Sequence, residues 1–198
     1  QMGCPNSWPY SVAEEMESCK MIINGDGEEV LVSNQQIQDC CHEGGSQSCG
    51  GGDPMSCLKW GVDQDIQTED SYPTQQTAME CRQDPGTIAV IAGECRFKAI
   101  QSYNETALLL ALQEGPVSVL VDANSMLLYM HGTLSASNCD GTDLNFALQL
   151  VAYDAINQEL TLRNMWSTFF GENGYVRIQA NVNCLSFTTF PAMAIPSH

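Results

Sequence analysis

Cysteine is the residue type in this sequence whose number and spacing indicate the most about its chemistry. Ten cysteines lie between Cys4 and Cys184 among 198 residues, and they do not form paired CxxC sets at zinc-binding spacing. Scattered cysteines in an even number are typical of a disulfide framework made in an oxidising space. The alternative, ten reduced thiols in a cytosolic protein, is disfavoured at this density. We therefore expect a secreted, extracellular protein, or one in the lumen of a secretory granule or lysosome-like vesicle, with no metal and no cofactor.

A second chemical feature is the triplet Asn104-Glu105-Thr106, an acceptor sequence for an N-linked sugar. We expect glycosylation at Asn104, in keeping with secretion.

Acidic side chains dominate the charge of the chain. Asp and Glu number 24 against 7 Lys and Arg, for a formal net charge of −17. Such a surface repels nucleic acid and anionic lipid, and the longest apolar run, Ala107–Leu112, is far shorter than the roughly 18 residues of a membrane span. Glu14-Glu15 and Glu28-Glu29 offer hard oxygen ligands, so we expect diffuse Ca²⁺ binding and acid-promoted self-association or assembly with other subunits. The alternative is that the charge only maintains solubility.

The elements that position these residues change character along the chain. Apolar residues at helical spacing predict a helix over Trp8–Ile23, with Asn6 or Ser7 as its N-cap and Pro9 in its first turn. Further helices are predicted over Ser33–Cys41, Pro54–Trp60 and Glu105–Glu114. Alternating hydrophobicity then predicts strands over Val117–Val121, Leu148–Tyr153, Leu160–Arg163 and Gly174–Ile178. The layout is α+β, with a helical half at residues 1–98, a β half at 99–198, and a cleft between them.

Six segments carry motifs, in one order along nearly the whole chain. They are Gln1–Ser11 (QMGCPNSWPYS), Val32–Cys40 (VSNQQIQDC), Cys49–Gly52 (CGGG), Glu69–Pro73 (EDSYP), Leu144–Ala147 (LNFA), and Arg163–Trp166 (RNMW) with Gly171–Tyr175 (GENGY). Together they resemble the papain-like, cathepsin-type peptidase C1 family of cysteine proteases. The resemblance implies a two-domain fold with a helical left half and an antiparallel, barrel-like β right half that ends in a C-terminal strap. It also implies an upstream N-terminal strand and a propeptide, which we expect to be absent.

The resemblance assigns four positions to catalysis. Such proteases use a thiolate, an imidazole base and an amide that orients the imidazole. Here Ser7 stands at the nucleophile position and Phe146 at the base position. Asn164 matches the orienting amide and Gln1 the oxyanion donor. Loss of the base in a hydrolase triad costs about 10⁶ in rate, or about 8 kcal/mol of barrier.

No histidine of the sequence is expected to replace the missing base. His42 follows the adjacent cysteines, His131 lies in a predicted turn, and His198 is terminal. The resemblance places none of them at the active site.

The resemblance also implies a substrate groove and part of the disulfide framework. The groove positions are Gly51, Gly52, Asp53, Pro54, Leu120, Ala147 and Thr189. The implied bridges are Cys4–Cys49, Cys40–Cys81 and Cys139–Cys184, although adjacent Cys41 is an alternative partner for Cys81. The pairing of Cys19, Cys41, Cys57 and Cys95 stays open.

From the substituted positions we expect a catalytically inactive pseudoprotease, not an enzyme, that serves as a secreted structural or binding module in a larger extracellular or granule assembly. Two alternatives remain. One is a groove that binds peptide without cleaving it, and the other is a weak serine-type hydrolase that uses Ser7.

Overall fold

The computed structural model of the protein describes Cys4 and residues 6–82, 84–139 and 141–197. The chain forms two compact units, of which the first is Gln1–Lys98 with Met193–His198 and the second is Ala99–Ala192. Among the described residues, no helix has the length and apolar character needed to cross a membrane.

Before the second unit begins, the described residues of the first unit form three helices and three short strands. The helices are α1 (Trp8–Asn24), α2 (Asn34–Cys40) and α3 (Pro54–Gly61), and the strands are β1 (Ile66–Gln67), β2 (Ile88–Val90) and β3 (Cys95–Ala99). Strands β1 and β2 pair antiparallel. Short 3-10 turns occupy Glu43–Gly45 and Ser48–Gly50. All three helices lie where the apolar spacing predicts them, whereas none of the three strands was predicted.

Helix α1 supplies one face of the core of this unit. Val12, Met16 and Cys19, three or four residues apart, are all fully buried, because this spacing places them on one side of the helix. Ser7 precedes the helix, but its side chain makes no capping hydrogen bond. The Asn6 side chain holds the same helix start, because its Nδ2 donates to the carbonyl of Ser48 at 2.6 Å. Ser7 therefore occupies the N-cap position, as predicted, although its side chain does not make the capping hydrogen bond.

Residues of the C-terminal strap pack against α1 within the first unit. Glu15 is fully buried, and its Oε2 accepts a hydrogen bond from the backbone N–H of Ala194 at 3.1 Å. Ser197 donates to the carbonyls of Glu94 and Gly93 at 3.1 and 2.7 Å. Glu14 is also buried, so the expectation that Glu14-Glu15 serves as a surface calcium ligand is wrong. A helical face that must fill a core removes these carboxylates from solvent.

The second unit is a β-sheet with one helix. Helix α4 (Glu105–Ala111) precedes strands β4 (Val117–Val121), β5 (Thr133–Leu134), β6 (Phe146–Asp154), β7 (Glu159–Arg163), β8 (Tyr175–Gln179) and the start of β9 (Ala192–Pro196). Within this unit the strand order is β4-β6-β7-β8-β5, antiparallel except for the parallel pair β8–β5. Ala192 pairs with Ser118 of β4. Two further 3-10 turns lie at Ala123–Met126 and Cys184–Ser186.

Alternating buried residues hold the second unit together. The core side of the strands carries the fully buried residues Val117, Val119, Val121, Leu148, Leu150, Leu160, Leu162, Val176 and Ile178. The pairing of β6 with β7 shifts register between Leu150 and Ala152. Such an irregularity bends a strand locally. Helix α4 contributes Leu108 and Ala111 to the interior, and it ends three residues earlier than predicted.

Five disulfides cross-link the chain, and all ten cysteines take part. They are Cys4–Cys49, Cys19–Cys95, Cys40–Cys81, Cys41–Cys57 and Cys139–Cys184. The adjacent residues Cys40 and Cys41 bond different partners, because α2 ends at Cys40 and the extended backbone of Cys41 directs its buried side chain toward Cys57. Four bridges lie in the first unit and one in the second.

Candidate functional site

Ser7 lies directly before α1 and is 8% exposed. Its carbonyl accepts the N–H of Ser11 at 3.0 Å, as in the first turn of a helix. The carbonyl of Ser48 holds this helix start in place by accepting hydrogen bonds from the side chains of Asn6 and Trp8, at 2.6 and 3.3 Å. The disulfide Cys4–Cys49 joins the same two segments. Ser7 is therefore held by its neighbours and not by a cap of its own.

The glycine-rich segment passes close to Trp8. A Cβ atom added to Gly52 would lie 2.6 Å from Trp8 Cε2, so only glycine allows this approach. Gly51 has a φ of +104°, a backbone conformation that residues other than glycine rarely adopt. The predicted groove positions Gly51 and Gly52 thus have a structural role beside Trp8.

Asp53 and Pro54 form the start of α3. Asp53 is the N-cap, with Oδ1 accepting from the N–H of Met55 at 3.0 Å and Oδ2 from the Ser56 hydroxyl at 2.6 Å. Pro54 is buried at the first helical position, where its missing N–H is not needed. Both carboxylate oxygens of Asp53 accept hydrogen bonds within α3, so this predicted groove position also serves as the cap of the helix.

In the second unit, three predicted positions meet on adjacent strands. Phe146 is the first residue of β6 and is half-buried, opposite Val121 of β4. Ala147, buried, lies opposite Leu120. The Phe146 ring contacts the Trp166 ring edge-on, with centroids 4.9 Å apart. The structure therefore brings together Leu120, Ala147 and Phe146, with Trp166 over the aromatic ring.

Asn164 directly follows β7 and is 5% exposed. Its backbone N–H donates to the carbonyl of Gly174 at 2.9 Å, and its Oδ1 accepts from the N–H of Trp166 at 3.2 Å. Its buried Nδ2 has no hydrogen-bond partner among the described residues. A buried donor left unsatisfied costs about 1–3 kcal/mol, so Asn164 carries an amide donor that a group of the right kind would satisfy.

The remaining predicted positions have other surroundings or lie outside the described residues. Thr189 is buried in the second unit, and its hydroxyl donates to the carbonyl of Ser186 at 2.8 Å. His42 and His131 are exposed. Gln1 and His198 lie outside the described residues, so the structure gives no account of the predicted oxyanion donor.

Two contributors were missed by the sequence reasoning. The Phe170 ring packs edge-on against Trp166 with centroids 5.0 Å apart, and the aromatic run that follows Trp166 could have indicated this contact. The carbonyl of Ser48, which holds the start of α1, carries no signal in the sequence because every residue has a carbonyl.

Asp122, which directly follows β4, carries a buried carboxylate next to the strand pair β4–β6. Burial alone would raise the pKa of Asp122, but the N–H groups of Asn124 and Asp143, at 3.0 and 3.1 Å, outweigh it, and the pKa is lowered on balance. Asp122 therefore stays ionised and fixes the loop that follows β4.

A helical unit with buried cross-links and an antiparallel β unit, with an asparagine–tryptophan pair at a strand end, define a papain-like protease fold. The sequence matches the pattern described as "Papain family cysteine protease" over residues 1–194. The chain belongs to this family, and the predicted α+β, papain-like fold is confirmed.

The individual relatives agree with this assignment. The chain is 30% identical to "Mexicain" of Jacaratia mexicana over 90% of this chain and 80% of that protein. It is 29% identical to "Senescence-specific cysteine protease SAG39" of Oryza sativa subsp. indica over 92% of this chain but only 53% of that protein, so it spans about half of its length. The crystal structure of the cysteine protease CMS1MS2 of Carica candamarcensis, in complex with E-64, superposes with a TM-score of 0.85 and 26% identity, covering 99% of this chain and 91% of the other.

These findings contradict our prediction that the chain is not an enzyme. The rice relative and the Carica candamarcensis structure are named as cysteine proteases, and nothing in the described residues shows a loss of activity. The prediction was drawn from Ser7 at the nucleophile position, Phe146 at the base position and the loss of rate expected without a base. That loss does not amount to zero activity, because binding and oxyanion stabilisation alone keep about 10³ to 10⁴ over the reaction in water.

Proposed function

We propose that this chain binds polypeptide as a papain-family protein and hydrolyses it slowly through the hydroxyl of Ser7, in an oxidising extracellular or vesicular compartment. The observation that carries the proposal is the state of the cysteines. All ten are described, and each forms a disulfide, so no thiolate is left for a nucleophile. Cys57, whose Sγ lies 3.3 Å from the Ser46 hydroxyl, is bonded to Cys41.

Ser7 is the residue of this chain that stands at the nucleophile position of the family motif. In the proposed reaction Ser7 Oγ bonds to the carbonyl carbon of the peptide, the C–N bond breaks, and the hydroxyl proton passes to the leaving amine. Water then hydrolyses the serine ester and restores the hydroxyl. A serine hydroxyl depends on an adjacent base for activation, and Phe146 at the base position supplies none. We therefore expect a low rate, because the proton of the Ser7 hydroxyl must pass to the leaving amine without the help of a base.

The compartment is proposed from the cross-links. Five disulfides in 198 residues are typical of proteins that fold in an oxidising environment and are rare in the cytosol. Titration of free thiols in protein isolated from its source tests this part, with no reactive thiol expected before reduction. Ten reactive thiols would contradict it.

Hydrolysis is tested with a library of quenched fluorescent peptides and three proteins: wild type, Ser7→Ala and Ser18→Ala. The last is the matched control, because Ser18 lies in α1, the helix that Ser7 precedes, and its hydroxyl donates to the carbonyl of Glu14. We expect slow cleavage by wild type and Ser18→Ala, none by Ser7→Ala, and no inhibition by E-64. Equal cleavage by Ser7→Ala, or no cleavage at all by wild type, would overturn the proposed role of Ser7.

The missing base is tested by restoring it. Ser7→Cys alone is expected to recover no measurable thiol-dependent cleavage, whereas Ser7→Cys with Phe146→His is expected to recover a trace that E-64 inhibits. The added imidazole would offer an acceptor to the Asn164 amide that now has none. Recovery by the single change would show that the base position is not where the motif places it.

A further inference from the structure

The sequon at residues 104–106 lies on an exposed surface of the second unit. Asn104 is the N-cap residue of α4 and is half-exposed. Thr106 is exposed in the first turn of the helix, and the preceding Tyr103 is 72% exposed. It is the one Asn-X-Ser/Thr triplet in the sequence. An enzyme that transfers sugar would therefore find a single acceptor, and the folded chain would have room for the product.

The hydrogen bonds of Asn104 are compatible with a sugar. Its Oδ1 accepts from the N–H of Ala107 at 2.9 Å and so caps α4, while its Nδ2 donates to the side chain of exposed Gln101 at 2.9 Å. A sugar is attached at Nδ2 and leaves Oδ1 unchanged. The cap is therefore kept after modification, and the amide nitrogen still carries one hydrogen for Gln101.

Tyr103, which precedes Asn104, has an unusual backbone conformation that helix α4 does not explain. Its backbone has φ of +56°, which is uncommon for a residue with a side chain, and its N–H donates to the carbonyl of Thr188 at 2.8 Å. This fixed turn leaves the ring 72% exposed directly beside Asn104. An exposed aromatic ring is a surface against which the apolar face of a sugar packs.

We propose that Asn104 carries an N-linked oligosaccharide whose first sugar covers the Tyr103 ring. The transfer forms a bond between Nδ2 and C1 of the first sugar, and it breaks the bond between C1 and the pyrophosphate oxygen of a lipid-linked oligosaccharide. Nδ2 loses one proton, and the lipid pyrophosphate is released. The proposal rests on the oxidising, secretory compartment of the proposed function, but not on catalysis by Ser7.

The test uses the full chain secreted from eukaryotic cells as wild type, Thr106→Ala and Thr106→Ser. Thr106→Ala removes the acceptor signal without changing either hydrogen bond of the Asn104 side chain, and Thr106→Ser preserves the signal. We expect wild type and Thr106→Ser to lose mass on treatment with peptide N-glycosidase, with Asn104 converted to Asp, and Thr106→Ala to be unaffected. Unmodified Asn104 in secreted wild type whose disulfides are intact would overturn the proposal. Unmodified Asn104 together with free thiols would overturn the proposed compartment as well.

The contact with Tyr103 has its own readout. If the sugar covers the ring, removing the sugar from folded wild type should increase the reactivity of Tyr103 toward iodination, whereas Tyr175, which is 37% exposed, should not change. Equal reactivity of Tyr103 before and after removal would show that the sugar points away from the ring.

Discussion

Glu172→Gln is the substitution that tests the charged network of the second unit most directly. Arg177 binds Glu172 through Nε and Nη2, both at 2.8 Å, and Glu159 through Nη1 at 2.8 Å. Glu172 also accepts the N–H of Gly132 at 2.9 Å. The network thus joins β7, β8 and the loop before β5. Gln keeps the shape of the side chain and removes its charge.

The expected magnitude follows from the pKa of Glu172. Hydrogen bonds from Arg177, and then from the N–H of Gly132, lower that pKa from 4.5 to about 2. This difference corresponds to about 3 kcal/mol between the two protonation states. The side chain is 31% exposed, so solvent screening reduces the expected loss of unfolding free energy at pH 7 to about 1–2 kcal/mol.

The same reasoning gives the sign of the pH dependence. Because the pKa of Glu172 is lower in the folded protein than in the unfolded chain, its stabilisation is complete above about pH 4.5 and is lost as the pH falls toward about 2. The difference in stability between wild type and Glu172→Gln should therefore be largest at neutral pH and shrink in acid.

Urea unfolding followed by circular dichroism, at several pH values between 7 and 3, measures this difference. The matched control is Glu29→Gln, the same change at an exposed residue of the first unit, which should shift stability by less than about 0.5 kcal/mol. A difference that is the same at pH 7 and pH 3, or no larger than that of the control, would refute the reasoning.

Two further predictions concern the cross-links and the surface charge. Replacing both Cys19 and Cys95 by Ser opens a bridge between residues 76 apart and should cost about 4 kcal/mol, against about 3 kcal/mol for Cys41 with Cys57, 16 apart. If thermal unfolding shows a larger loss of stability on removal of the shorter bridge, the argument from loop length is contradicted. We also propose that acid or millimolar Ca²⁺ promotes self-association, with exposed Glu28 and Glu29 among the ligands. If light scattering shows a monomer at every pH from 7.5 to about 4.5, with and without Ca²⁺, this self-association is excluded.

The helices could be predicted because their signals are local. Helix α1 begins at Trp8, as predicted, and ends one residue beyond the predicted Ile23. Ser33 caps α2 by accepting the N–H of Gln36 at 3.0 Å. The Gln36 side chain, however, does not return the bond as a capping box would. Its Oε1 accepts from the N–H of Gln67 at 2.7 Å, a distant partner that no local pattern reveals.

The strands missed by the sequence analysis have weak patterns. Alternation predicted β4 with its observed bounds, and it came within two residues at each end of β6. Strand β9 is buried at four successive residues, so it shows no alternation to detect. Strand β1 has only two residues. Each motif of the candidate site could be recognised from a short run of neighbouring residues, whereas the ring contact of Phe146 with Trp166 depends on how β6 and β7 pair.

The return of the C-terminal strap to the first unit imposes an order on biosynthesis. The N–H of Ala194 and the buried carboxylate of Glu15 that accepts it are 179 residues apart, and the whole sequence of the second unit is translated between them. At about 5–20 residues per second, a ribosome needs roughly 10 to 40 s to cover that distance. Cys95 emerges in less than half of this time, so its bond to Cys19 can hold α1 while the first unit is still incomplete. The strand pairs β4–β6, β6–β7, β7–β8 and β5–β8 all lie between residues 117 and 179, so they can form before the strap is translated.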